Sequence, residues 1–294
     1  MAISASQVKD LRERTGLGMM ECKQALVETD GDMDAAIELL RMKAGAKVEK
    51  KAGRTAADGV VRITITGDGK TAAMVEVNSE TDFVAKGDEF QAFAQSISDR
   101  IAASNPADVA ALSAMPLKDG ADTTVEQARE SIVQKLGENM AVRRFISRST
   151  GGLFGSYIHG NKIGVLVELE GGDETLARDI AMHIAASRPE FVSADDVSAE
   201  VIAKEKEIFA AQAKESGKPD DIIEKMVTGR ISKFVNEITL LGQPFVKDPD
   251  LTVEKLLAKA SAKVLSFTRY EVGEGIEKEQ GDFAAEVMAQ VKGG

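Results

Sequence analysis

The sequence predicts an α+β protein: an N-terminal three-helix module, a core of two similar α+β halves, an inserted helical hairpin and a C-terminal helix. Three observations carry that prediction. Apolar residues recur at helical spacing through residues 1–54, with breaks that cut the stretch into three helices. From Gly59 the period falls to two, as in a half-buried strand. The strand–turn–strand–helix plan that begins there returns about ninety residues later. The resulting boundaries are 1–54 for the N-terminal module, 55–147 for the first half of the core, and 148–196 with 237–272 for the second half. Residues 197–236 form the inserted hairpin, and 273–294 the C-terminal helical module.

The first helix opens with Ser4 and Gln7 at capping-box spacing, turns Val8 and Leu11 to one face, and stops at Thr15-Gly16-Leu17-Gly18. The second carries Met19, Cys22 and Leu26 and ends at Asp30-Gly31. Asp32 caps a third with Ala36, Ile37 and Leu40. The basic run Lys43, Lys47, Lys50, Lys51 and Arg54 follows as a solvated helix or linker, with steering toward an acidic partner as the alternative. Val61, Ile63 and Ile65 alternate with polar residues, Gly67-Asp68-Gly69 turns, and Ala73 to Val77 returns as the second arm of a hairpin. Glu89 to Ser104 is amphipathic, with Phe90, Phe93, Ala94, Ile97 and Ile101 on one stripe. Residues 123–145 read as helical.

The second copy begins near Tyr157, turns at Asn161-Lys162, runs through Val165 to Leu169, and enters a helix at Ala177–Ser187. Lys70 and Lys162, Val75 and Val167, and Glu76 and Glu168 are all 92 residues apart, whereas Pro106 and Pro189 are 83 apart. The first copy therefore holds nine extra residues between strand and helix end, in a region that contains Thr81-Asp82-Phe83-Val84. Ser198 to Phe234 is a charged helical hairpin broken at Ser216-Gly217-Lys218-Pro219, a candidate for self-association or for contact with a partner. Thr252 to Ala262 is helical, and Val264 to Val272 reads as a strand able to complete the second sheet. Gly281 to Val291 is a short amphipathic helix.

Composition narrows the function. Forty-eight acidic residues against 37 basic ones leave a net charge of −11, which disfavours nucleic-acid or anionic-membrane binding through a broad basic surface. A single cysteine excludes an intrachain disulfide and a cysteine zinc site. The N-terminus has neither a basic region nor an apolar segment of signal-peptide type, and no run of about 18 apolar residues occurs. A soluble, cytoplasmic protein is expected. Gly69-Lys70-Thr71 has the ending of a phosphate loop, but the required earlier glycine is Thr64. Gly16-Leu17-Gly18 and Gly273-Glu274-Gly275 read as turns rather than dinucleotide fingerprints. His159, in a hairpin turn, and His183, in an apolar helix, lie on different elements and lack metal partners at helical spacing. Cys22 reads as a small core hydrophobe. No enzyme motif, cofactor or metal site is expected, which favours a binding protein.

Thr81-Asp82-Phe83-Val84-Ala85-Lys86 stands apart. On pattern alone Phe83 reads as the core-facing residue of a helical turn. The alternative is an exposed wedge beside a carboxylate, placed in an insertion on a rigid scaffold.

Several long segments resemble the bacterial elongation factor Ts family: Leu11 to Gly16 with Met19 to Lys23, Ala56 to Gly59, Glu76 to Lys86, His159-Gly160, Leu241 to Phe245, and Glu271 to Gly275. The resemblance implies a guanine-nucleotide exchange factor for elongation factor Tu in translation, acting on its GDP-bound and nucleotide-free forms. It implies a ubiquitin-associated-like N-terminal module and a coiled coil at 197–236. It further implies that Thr81, Asp82, Phe83 and Val84 insert between helices of elongation factor Tu and disturb its Mg²⁺ site. Met19, Met20 and Lys23 would press on the nucleotide domain, and His159 would touch another domain.

Overall fold

The computed structural model describes residues 3–215 and 219–277. The predicted helix at Gly281–Val291 lies outside the described residues. The chain divides into two compact units. One holds Met1–Arg62, Val75–Ile146 and the chain from Glu271; the other holds Ile63–Met74 and Ser147–Tyr270.

In the first unit, α1 (Ala5–Thr15), α2 (Met19–Glu28) and α3 (Met33–Lys51) bury Val8, Leu11, Cys22, Ala25, Leu26, Ala36 and Leu40 in a common core. The caps foreseen at Ser4 and Asp32 are made. Ser4 Oγ accepts from Gln7 N–H, and Asp32 Oδ1 accepts from Asp34 and Ala35 N–H, both at 3.0 Å. Gly16 ends α1 in the left-handed conformation at φ 71°. The basic run is not a linker down to Lys51, because α3 continues through it, and Lys43 pairs with Glu28 at 2.6 Å.

The strands β1 (Asp58–Ile65), β2 (Thr71–Ser79) and β3 (Met140–Ser149) form a three-stranded sheet in the order β1-β2-β3. The five-residue α4 (Asp82–Lys86) leads into α5 (Asp88–Ser104), whose predicted stripe is buried along its length. Then come α6 (Val109–Ala114) and α7 (Val125–Leu136). The sequence reading carried a helix through residue 145, and the structure corrects it. Gly137 takes φ 82° and its N–H closes on Val133 O at 2.9 Å, which ends α7, and the chain leaves as β3. Met140 and Val142 are buried, at the two-residue spacing of a strand.

In the second unit, β4 (Leu153–His159) pairs antiparallel with β5 (Ile163–Glu170), and β8 (Lys263–Glu271) lies beside β5, in the order β4-β5-β8. The strand expected from Val264 onward therefore does complete this sheet. The β4–β5 turn places Gly160 at φ 55° and Asn161 at φ 61°, a primed turn whose twist suits the flanking strands. The helix α8 (Glu174–Ser187) covers β4 and β5 and buries Ala177, Ile180, Ala181 and Ile184. Gly155 allows this approach: a Cβ there would lie 2.5 Å from Ala177. The helix ends of the two copies match as their sequences align. Asn105 and Arg188 are both left-handed (φ 46° and 50°), and their N–H groups close on Ile101 and Ile184 at 2.9 and 3.0 Å.

Two antiparallel helices follow, α9 (Ala199–Lys214) and α10 (Asp220–Ile238). Phe209, Ala210 and Ala213 face Ile223, Val227 and Ile231 along an apolar seam. Phe209 meets Phe234 edge-on at 6.3 Å, and the Arg230 guanidinium lies 5.8 Å from the Phe209 ring centre. The unit closes with β6 (Pro244–Phe245), β7 (Asp248–Thr252) and α11 (Val253–Lys259), a shorter helix than expected because Ser261 turns left-handed at φ 50°. Among the described residues, no helix is long and apolar enough to cross a membrane.

Candidate functional site

The insertion that the first copy holds and the second lacks folds as a capped helical turn. Thr81 is extended and caps α4, its Oγ1 accepting from Val84 N–H at 3.4 Å. At the other end Gly87 N–H closes on Val84 O at 2.9 Å, and Gln91 Nε2 donates to Lys86 O at the same distance. Ala85 is the buried residue of the turn. Phe83 is 84% exposed, the most exposed large apolar side chain described. This corrects the core-facing reading of Phe83: the turn spends its one inward position on Ala85, and five residues leave no second inward position for a ring.

Asp82 and Lys86, four residues apart, form an exposed ion pair at 2.6 Å. The Asp82 hydrogen bond raises Lys86 above the ordinary lysine range. An exposed pair of this kind is worth little and parts readily.

The strand that delivers this turn is anchored behind it. The Glu76 side chain on β2 is fully buried. Its carboxylate accepts from Arg144 Nε at 2.6 Å, Gly273 N–H at 2.8 Å, Arg143 Nη1 at 3.0 Å and Asn78 Nδ2 at 3.1 Å. Burial by itself would raise this carboxyl. The Gly273 N–H, with Arg144, Asn78 and Arg143, outweighs burial and holds it below the ordinary glutamate range. Gly273 is left-handed, at φ 76°, and a Cβ there would lie 2.3 Å from Ala57 O. Three separate segments of the resemblance thus come together here: Gly273 donates to the Glu76 carboxylate and packs closely on the Ala57 backbone.

Met19 and Met20, at the start of α2, are 54% and 76% exposed; Lys23 is exposed one turn on, and Val27 one turn beyond that. The helix buries Cys22, Ala25 and Leu26 and leaves this second apolar face uncovered within its own module. His159, in the second unit, is exposed before the β4–β5 turn, its Nδ1 3.2 Å from the Tyr157 hydroxyl. It borders an open cavity of about 590 Å³ lined also by Ile163, Met182, Arg188 and Val246. His183 is fully buried. Its Nδ1 accepts from Val246 N–H at 3.2 Å and its Nε2 lies 2.9 Å from Gln243 Oε1, so it is a satisfied core histidine, and burial lowers its pKa.

Two residues escaped the sequence reading. Glu138 and Asn139 follow Gly137, and the over-extended helix hid them. Glu138 accepts from both Thr81 N–H (3.0 Å) and Thr81 Oγ1 (2.6 Å). Asn139 donates its N–H to Glu80 Oε1 at 2.5 Å and its side-chain amide to Arg54 O at 2.8 Å. The signal available was Gly137, a helix-ending glycine followed by polar residues. Among the described residues, no group of three or more His, Cys, Asp or Glu side chains is arranged to hold a metal ion.

A family model described as "Elongation factor TS" matches residues 80–274. The chain is 60% identical over 294 residues to elongation factor Ts of Alkalilimnicola ehrlichii, covering 100% of both chains. It is 61% identical over 295 residues to that of Thioalkalivibrio sulfidiphilus, again over 100% of both. To that of Methylococcus capsulatus it is 59% identical over 293 residues, 99% of each.

Proposed function

The chain belongs to the elongation factor Ts family, and from that membership we propose that it is a guanine-nucleotide exchange factor that binds elongation factor Tu·GDP and promotes GDP release during translation elongation. It performs no covalent chemistry and works in the cytoplasm. The observation that carries the mechanism is the exposure of Phe83 on a short helix pinned at both ends.

Phe83 is a preformed wedge. A packed helix pair has discrete arrangements rather than a continuum of them, so an inserted ring selects a second arrangement. Asp82, released from its surface pair with Lys86, brings a carboxylate to groups near the partner's Mg²⁺, with Thr81 and Val84 flanking it. Once that ion is displaced, the phosphate charge of GDP is poorly neutralised and GDP leaves faster. The N-terminal module, ubiquitin-associated-like in this reading, presses Met19, Met20 and Lys23 on the nucleotide domain. His159 and its turn meet another domain of elongation factor Tu. Residues 197–236 act as a coiled-coil arm available for assembly.

Exchange of this kind obeys linkage. The factor by which this chain lowers GDP affinity equals the factor by which GDP lowers affinity for this chain. The test is stopped-flow release of a fluorescent GDP from elongation factor Tu, with and without the chain. Strong acceleration is expected. A stable complex with unchanged release would overturn the exchange reading and leave an adaptor.

A further inference from the structure

The direction in which Phe83 points is set by residues outside the segment that carries it. The backbone turns at Thr81 from the end of β2 into α4, and this residue's N–H, hydroxyl and carbonyl are all hydrogen-bonded. Its N–H and its hydroxyl both donate to one carboxylate, that of Glu138, at 3.0 and 2.6 Å. The hydroxyl oxygen then accepts from Val84 N–H. Ser79 Oγ donates to Thr81 O at 3.0 Å, so its carbonyl is held as well. A two-point, charge-assisted grip on a helix-capping residue fixes its orientation as well as its position, and so restrains the short helix it caps.

The grip is doubled by its neighbours. Glu80 receives the Asn139 N–H, while Glu138 receives Thr81, so the pairs 80–81 and 138–139 exchange hydrogen bonds across the gap. Asn139 is 7% exposed and reaches on to Arg54 O and Ala52 O, at the end of α3. Arg54 lies 3.6 Å from the Glu80 carboxylate. The segment bearing Phe83 and the chain leaving the three-helix module are thus both bonded to Asn139.

We propose that Glu138 is the positioning residue of the exchange segment: it acts on the partner only through Thr81, by holding α4 so that Phe83 stands out ready to insert. This rests on the exchange reading given above. A wedge that must find its orientation on each encounter loses conformational freedom on binding, and fixing it beforehand removes that cost.

The test measures GDP release from elongation factor Tu with the full chain carrying Glu138→Gln, Phe83→Ala or both. Glutamine keeps the volume but sets an amide donor against one of the two Thr81 donors. Acceleration is expected to fall about tenfold in E138Q. The double variant is expected to match F83A, because an aligning residue has nothing left to align. Glu138→Ala, which removes the carboxylate without adding an amide donor, should lower acceleration to a like extent even if E138Q folds poorly. Amide exchange at Val84 and Ala85 should quicken in E138Q while thermal melting holds. Wild-type acceleration in E138Q, or losses that multiply in the double variant, would overturn the assignment. An unaltered chain that fails to accelerate release would overturn the exchange reading itself, and this role with it.

Discussion

Phe83→Ala separates a wedge from a core residue by two measurements on one variant. At 84% exposure, about a sixth of the side chain is covered. A phenylalanine buries on the order of 200 Å² when enclosed, so the covered part is roughly 30 Å² and contributes under about 1 kcal/mol. Alanine's better helix propensity returns roughly 0.5 kcal/mol of that. The net change in stability should be within about 0.5 kcal/mol, or about 2 °C in melting temperature. Against the partner the same truncation removes a central aromatic anchor, for which about 2 kcal/mol is typical, roughly a thirtyfold loss of accelerated GDP release. The assay pairs circular-dichroism melting with stopped-flow release of fluorescent GDP. A melting temperature lowered by ten degrees would refute the exposure argument. Unchanged melting with undiminished exchange would refute the wedge.

Phe90 provides the contrast in the first turn of α5: it is fully buried, and Phe90→Ala should cost about 3–5 kcal/mol in denaturant unfolding. Gly59→Ala should destabilise by upwards of about 3 kcal/mol, seen in melting, because φ is 142° and the new Cβ would lie 2.1 Å from Val77 O. Stability should fall with acid in two stages. His183 is depressed in the fold, so its contribution is whole above the ordinary histidine value of 6.5 and declines as pH falls below it. Glu76 is depressed as well, so its contribution is whole above 4.5 and declines below that. Glu76→Gln should flatten the lower stage in urea titrations at stepped pH.

Much of the fold was legible because it is local. Caps at Ser4 and Asp32 and the stripe from Phe90 to Ile101 each depend on residues within a turn or two, and pattern reports them. The duplication was legible because a hairpin that leads into a helix is written twice, with Lys70 and Lys162, Val75 and Val167, and Glu76 and Glu168 at one offset. The strand β3 was not, since the apolar spacing around Met140 suits either period until the sheet partner is known. Within the site, the sequence by itself determined which segment is unusual: an acidic residue beside a phenylalanine, in an insertion that the second copy lacks. It could not determine which way Phe83 faces, because exposure depends on whatever approaches from elsewhere in the chain. Glu138 lies 57 residues from Thr81 and Gly273 lies 197 from Glu76, and no local periodicity carries contacts across such distances. Only the tertiary structure decided that the ring stands in solvent on a helix held by a carboxylate from another loop, because that carboxylate's reach is set by how α7 ends and β3 begins.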